Sequence, residues 1–403
     1  MGDIYTTLEV PTIINAKGPA TRVGGGIMAA EVADAMREAT QYSVDMPTLQ
    51  GRASEIIADI TGAEAGIVTA GAAAGLLLGT AATICGISLA CMNQLPDTRG
   101  MRNRVVMARS QRNFYDHAVR AAGVRMVEVG LPDRVSGAGV RDAEAWEYDA
   151  AITKKTACVL YVAQPKAKPA LGEVVEVAHA RGVPVLVDAA AQLPPVENLR
   201  RFLEAGADLV AFSGGKAIGG PQGSGVLCGN RELIASALLQ NLDMDLFLSQ
   251  WRPPLSIFGN HVLQGLPQHG IGRSAKVAKE QIVGLLVALR AFADADAGTV
   301  PALLCQRMQT LESRLTDIDN ITTSIESAAS TLPVLRIGLP NGTTSALDVV
   351  LALQFGQPSI HVDCGALDDG ELIIELSCVR EDQLDILADR LHHELSRIQP
   401  FTT

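Results

Sequence analysis

Positive charge is in short supply in this chain. Its 403 residues carry a formal net charge of −11, which argues against a nucleic-acid footprint. Aromatic residues are scarce at 4%, while Ala and Gly abound; that balance suits helices packed closely on a sheet. The seven cysteines (85, 91, 158, 228, 305, 364 and 378) are scattered, with no CxxC and no metal-ligand spacing. An odd count without a framework points to a reducing, cytoplasmic setting. The N-terminus lacks the basic-then-apolar pattern of a signal peptide. No apolar run reads as a membrane span: the best candidate, Gly71 to Leu89, is rich in Ala, Gly and Thr and reads as a buried core helix. Internal repeats and low-complexity linkers are absent. A P-loop fails too, since it needs Gly where Val210 stands and Ser or Thr where Ala217 stands. Gly219–Gly225 is no strand-to-helix GxGxxG, and His392-His393 reads as a solvated helix end.

The length suffices for one large domain and a smaller one. From Ala65 onward, short apolar runs alternate with helical spacing. Strands are expected at 65–69, 104–108, 125–129, 157–162, 183–187, 209–212 and 226–228. Helices are expected at 31–42, 49–61 (closed by Gly62), 116–122, 143–150, 171–181 and 199–205. Runs without period-2 alternation indicate an α/β fold with a mostly parallel sheet covered on both faces. A long amphipathic helix, Ser274 to Asp294, is expected to leave the large domain. Beyond it, helices and strands alternate in a compact α+β pattern. The expected domains are therefore 1–272 and 273–403.

The chemistry gathers around Asp208–Gly225, DLVAFSGGKAIGGPQGSG. An apolar strand stops at Ser213-Gly-Gly and presents Lys216 on a short loop. A lysine so placed can form a Schiff base with an aldehyde cofactor. Pyridoxal phosphate needs three anchors: a lysine for the imine, a carboxylate for the pyridine nitrogen, and backbone donors for the phosphate. Asp188 ends the strand VPVLVD, and ligands collect at such strand ends in open α/β sheets. Gly71-Ala72-Ala73 joins a strand to a helix whose first N–H groups can bind phosphate. Ser213 can add a hydroxyl. Each residue also has a plainer reading: a surface lysine between turns, an Asp that caps the next segment, small residues for tight packing, a turn serine. It is their order along the chain that favours function.

In that order the chain resembles the SelA-like pyridoxal phosphate enzymes of fold type I, and among them the D-glucosaminate-6-phosphate ammonia-lyase group. The resemblance spans nearly the whole chain. It rests on Ile14-Asn-Ala, Tyr42-Ser-Val-Asp-Met, Val68-Thr-Ala-Gly-Ala-Ala-Ala-Gly, Asn113-Phe-Tyr-Asp-His117, Val187-Asp-Ala-Ala-Ala, Phe212-Ser-Gly-Gly-Lys and Gly272-Arg-Ser-Ala-Lys-Val. It implies a large, mostly parallel sheet domain of the seven-stranded type with a small C-terminal domain. Lys216 becomes the imine lysine, Asp188 the pyridine partner, and Gly71, Ala72, Ala73 and Ser213 the phosphate site. Arg273 and Lys276 become candidates for substrate anions. A homodimer or higher homo-oligomer with shared sites is implied as well. The group tends to carry a histidine stacked over the ring just before an Arg/Asn pair. Here that position is Gln111, which can lie over the ring but cannot titrate.

The expected reaction is that of a lyase on an amino acid or amino sugar acid. Lys216 removes the α-proton, a β-hydroxyl leaves, and a 2-oxo acid and ammonia result. Racemase or epimerase, aldolase and β-replacement transferase share the same carbanion. A non-catalytic scaffold that binds the cofactor is the reading from another class.

Overall fold

The computed structural model of the chain describes residues 4–131, 142–165, 167–296, 298–327, 331–340 and 343–398. Two compact units emerge: Met28–Asp294, and Met1–Ile27 together with Ala295–Thr403. The boundary expected at 272 is thus displaced at both ends. Residues Ile271–Ala275 form a 3-10 turn, and the long helix begins only at Lys279. It does not leave the large unit, because Ile282, Leu285, Leu286 and Leu289 are buried in that unit's core. The N-terminal segment goes to the other unit, because strand β1 (Ile13–Ala16) pairs in parallel with residues 359–362.

The large unit holds strands β2 (Ala65–Thr69), β3 (Arg104–Ala108), β4 (Arg125–Val129), β5 (Thr156–Val162), β6 (Val185–Asp188), β7 (Leu209–Ser213) and β8 (Gly225–Gly229). They form one sheet in the order β2-β8-β7-β6-β5-β3-β4. Pairings from β7 to β4 are parallel, whereas β8 runs antiparallel to both its neighbours. Every residue of β2, β5, β6 and β8 is buried, which is why their sequences read as continuous apolar runs. Successive residues feed opposite faces: Val185, Val187, Val210 and Phe212 join one core, Leu186, Leu209 and Ala211 the other. The second core is roofed by the helix Ala72–Cys85, where small residues permit close approach. A Cβ added at Gly79 would lie 3.1 Å from Leu186 Cδ1. At 14 residues, this helix is shorter than the ~20 a span requires. No helix among the described residues is long and apolar enough to cross a membrane. Gly62 ends the helix Met46–Thr61 at φ 74°, as expected, and its N–H donates to Ala58 O at 2.8 Å.

In the smaller unit, β9 (Thr322–Glu326), β10 (Val334–Gly338) and β12 (Glu371–Ile374) form an antiparallel sheet, and β11 (Ser359–Val362) pairs with β1. Burial alternates along β10 and β12, so only one face meets a core, built from Leu335, Ile337, Leu372 and Ile374 with the flanking helices.

Candidate active site

Two neighbouring strand ends place the central pair. Asp188 is the last residue of β6, in register with Ala211 of the parallel strand β7. The chain leaves β7 at Ser213, turns through Gly214, Gly215 and Lys216, and returns as β8. Backbone bonds close this turn: Gly214 N–H donates to Ser224 O, Gly219 N–H to Lys216 O and Gly220 N–H to Gly214 O, each at 2.9 Å. Lys216 is thereby carried back over the sheet edge where Asp188 ends.

Burial acts on both charges. It pushes the Asp188 carboxyl above its usual range, while the Ala190 N–H, which donates to Oδ1 at 3.1 Å, and the Lys216 charge pull it back. Burial also lowers the Lys216 ammonium, and the Asp188 charge opposes that. The two groups sense one another across the sheet edge, yet no direct ion pair joins them. A buried carboxylate and a half-buried amine of opposite charge, with no direct bond between them, are the kind of perturbed pair that marks a ligand site.

A donor cradle lies on the far side of β8. Strand β2 ends at Thr69, and Gly71 follows with φ 87° and ψ 165°, a region open essentially to glycine alone. No side chain caps the helix Ala72–Cys85 that it opens, so its first N–H groups have no side-chain acceptor and are available as anion donors. The register Thr69–Gly225–Ser213 sets the Ser213 hydroxyl in one row with this helix start. Gly225 is the keystone of that row. A Cβ there would fall 2.5 Å from the Gly71 carbonyl carbon and 2.7 Å from the Ala72 nitrogen. We expect Gly225→Ala to displace the cradle, destabilise the fold by about 1–3 kcal/mol and weaken binding of phosphate-bearing ligands; thermal melting and ligand titration will read the two effects.

Gln111 stands at the other side of the pair. It closes the 3-10 turn Arg109–Gln111 after β3, and its Oε1 accepts the Val162 N–H at 2.9 Å. Val162 is in register with Asp188. The Nε2 of Gln111 is buried without a partner. A lysine amine, a carboxylate, a helix-start anion cradle and an orphaned donor thus line one sheet edge. This donor set fits a cofactor that has an aldehyde, a ring nitrogen and a phosphate.

Arg273 and Lys276 stand elsewhere. Arg273 Nη2 donates to Asp243 Oδ2 at 2.7 Å. Both cations line a cleft of about 430 Å³ with Gln50, Asn241 and Gln281, and none of Lys216, Asp188, Gln111 or Gly71 lines it. Arg336 and Arg380 are held by carboxylates of their own: Arg336 by Glu326 and Glu371, Arg380 by Asp382. His117 is exposed, and His392 pairs with Asp317 at an exposed helix end, as expected. Burial pushes the Cys158 and Cys228 thiols up to about 12, which leaves them inert as nucleophiles. Two contributors escaped the sequence reading: Gly225, and the Val162 bond that holds Gln111. The Gly-rich run ending at Gly225 was the available signal for the first; the second has no local signal.

The fold is that of the pyridoxal phosphate-dependent enzymes of fold type I, with the chemistry-bearing side chains gathered at the carboxyl edge of its sheet. Within that class the chain belongs to the L-seryl-tRNA selenium transferase (SelA) family, whose profile it matches over residues 13–248; the class-V aminotransferase profile also matches, over residues 138–365. It is 29% identical over 401 residues to the D-glucosaminate-6-phosphate ammonia lyase of Salmonella typhimurium, covering 96% of this chain and 97% of that one. It is 28% identical over 401 residues to the 5'-C-glycyluridine monooxygenase-decarboxylase of a Streptomyces species, covering 97% and 92%. A solved structure of D-glucosaminate-6-phosphate ammonia-lyase superposes with a TM-score of 0.79 at 28% identity over 98% of both chains. A cysteine desulfurase from Thermococcus onnurineus (TM-score 0.55, 16% identity, 98% and 97% covered) shares the fold. The expected family, fold type and ammonia-lyase group all agree with these comparisons.

Proposed function

We propose that this enzyme is a pyridoxal phosphate-dependent lyase. It removes the α-proton of an amino acid or amino sugar acid, expels a β-hydroxyl, and releases a 2-oxo acid and ammonia. Water lost in the elimination is regained in the hydrolysis that frees the ammonia, so the reaction balances. The observation that carries the reading is the unbonded pair of a buried carboxylate, Asp188, at the end of β6 and a half-buried amine, Lys216, in the turn that follows the neighbouring strand β7. Similarity to an ammonia lyase along nearly the whole chain supports it.

The bound cofactor supplies an electron sink for the carbanion. The chain's residues do the rest. Lys216 would hold the cofactor and, once freed, would serve as the general base; burial lowers its pKa and favours the neutral amine that this duty requires. Asp188 would hold the proton on the ring nitrogen. Gly71, Ala72, Ala73 and Ser213 would bind the phosphate, and Gln111 would lie against the ring. Arg273 and Lys276 are proposed to take an anionic group of the substrate bound to a neighbouring copy. Phe114, Phe247, Leu255 and Val262, all more than 70% exposed, are apolar surface that such a copy could cover, which supports a homodimer or larger homo-oligomer. The seven free cysteines support a reducing, cytoplasmic setting. A net charge of −11 argues for a small-molecule substrate over a tRNA.

Comparable similarity to a monooxygenase-decarboxylase supports a second reading, in which loss of carbon dioxide makes the carbanion. The test is to supply the purified holoenzyme with D-glucosaminate 6-phosphate and a panel of 2-amino-3-hydroxy acids. Ammonia and 2-oxo acid are expected in equal amounts, and Arg273→Ala should raise KM several-fold with kcat little changed. Carbon dioxide without stoichiometric ammonia would favour the decarboxylase, and loss of α-deuterium without ammonia a racemase.

A further inference from the structure

Gln111 carries an asymmetry that the reaction above does not use. A glutamine amide has an accepting end and a donating end. The accepting end is taken by the Val162 N–H at 2.9 Å. The donating Nε2 is buried with no partner, in a residue only 2% exposed. The Val162 bond fixes which way the amide faces, since a flip would set N–H against N–H. An unmet buried donor is destabilising, and an oxygen brought by a ligand would remove that penalty. Position narrows the ligand. Val162 is in register with Asp188, and Asp188 with Ala211, five residues before Lys216. The amide therefore stands one strand from the carboxylate, at the same sheet edge.

Resting on the pyridoxal phosphate reading, we propose that Gln111 Nε2 is a fixed, donate-only contact for an anionic oxygen of the occupied site, one that either the cofactor ring or the substrate carboxylate supplies. An amide neither gains nor loses a proton at working pH, so Gln111 binds and orients while proton transfer stays with Lys216. It also selects: a ligand that presents a donor at that point meets another donor and is disfavoured.

The test uses three variants. Gln111→Glu keeps an oxygen for the Val162 N–H but puts a second oxygen where the donor stood. Gln111→Met keeps the length and removes the donor. Gln111→His can accept from Val162 with one ring nitrogen and donate with the other. Each apoenzyme is titrated with pyridoxal 5'-phosphate by absorbance, and each holoenzyme with D-serine and D-serinamide. If the ring supplies the oxygen, the cofactor Kd rises about tenfold or more in the Glu and Met variants, with a shifted absorption maximum. If the carboxylate supplies it, cofactor affinity holds and the preference for D-serine over D-serinamide collapses in those two variants. In either case Gln111→His stays within about threefold of wild type. The proposal is overturned if the Glu and Met variants match wild type in affinity, absorption maximum and preference. It is equally overturned if the His variant falls as far as the Met variant. Thermal melting identifies any variant that fails to fold, and the remaining ones then decide. Failure of the wild type to develop a lysine-linked absorption band would instead overturn the cofactor reading beneath.

Discussion

Lys216→Ala is expected to yield a folded protein that holds pyridoxal phosphate only non-covalently, shows no lysine-linked visible band, and turns over on the order of a thousandfold or more slowly. The fold survives because Lys216 lies in the turn between β7 and β8, not in a strand. The backbone bonds that shape the turn, from Gly214 to Ser224 and from Gly220 to Gly214, involve no lysine side-chain atom. Truncation also removes an amine whose charge burial disfavours, so the melting temperature of the apoprotein should not fall. Two roles vanish together: the covalent anchor and the general base. Added methylamine can replace neither the tether nor its placement in full, so rescue should be partial at most. A persistent visible band in the alanine variant would remove the basis for the assignment.

Asp188→Asn should separate stability from activity. Burial raises the folded-state pKa of Asp188 above its unfolded value. A group shifted this way lends its full contribution below the unfolded pKa and loses it as pH rises through the folded pKa. Above its raised pKa the ionised, cofactor-free carboxylate is therefore a liability, offset in part by the Ala190 N–H and the Lys216 charge. Asparagine keeps an oxygen for the Ala190 N–H and removes the buried charge. The apo variant should melt no lower than wild type at neutral pH, and its stability should lose the decline that Asp188 imposes as pH rises out of the acid range. Activity should go the other way: a neutral amide cannot hold the ring nitrogen protonated, and kcat should fall about a hundredfold or more. A variant that keeps wild-type kcat, or an apoprotein that melts well below wild type, would contradict the role given to this carboxylate.

The central pair was legible in the sequence because strand ends and glycines are local signals. Asp188 closes an unbroken apolar run, and Lys216 follows a Ser-Gly-Gly stop. Most strand bounds were legible for the same reason. The reversal of β8 was not: Val226–Cys228 is as apolar as its parallel neighbours, and direction leaves no mark on a fully buried strand. The helix Arg231–Asn241 escaped because Ile234 through Asn241 are all buried, which erases the amphipathic stripe. Arg273 and Lys276 were placed by motif alone, and nothing local announced that Asp243 would claim the guanidinium. The domain boundary was misplaced because pairing between β1 and β11 is long-range, whereas composition near residue 272 changes locally.

That same pairing bears on biosynthesis. Lys17, just past β1, bonds Asp363, 346 residues further along. On the ribosome, the first strand emerges long before its partner exists, and the whole segment Met28–Asp294 can collapse in the interval. Until translation nears its end, Ile14 and Ala16, both buried in the finished protein, stay exposed to chaperones and to one another. Deleting the first two dozen residues should accordingly spare early folding of the nascent chain and damage the part made last.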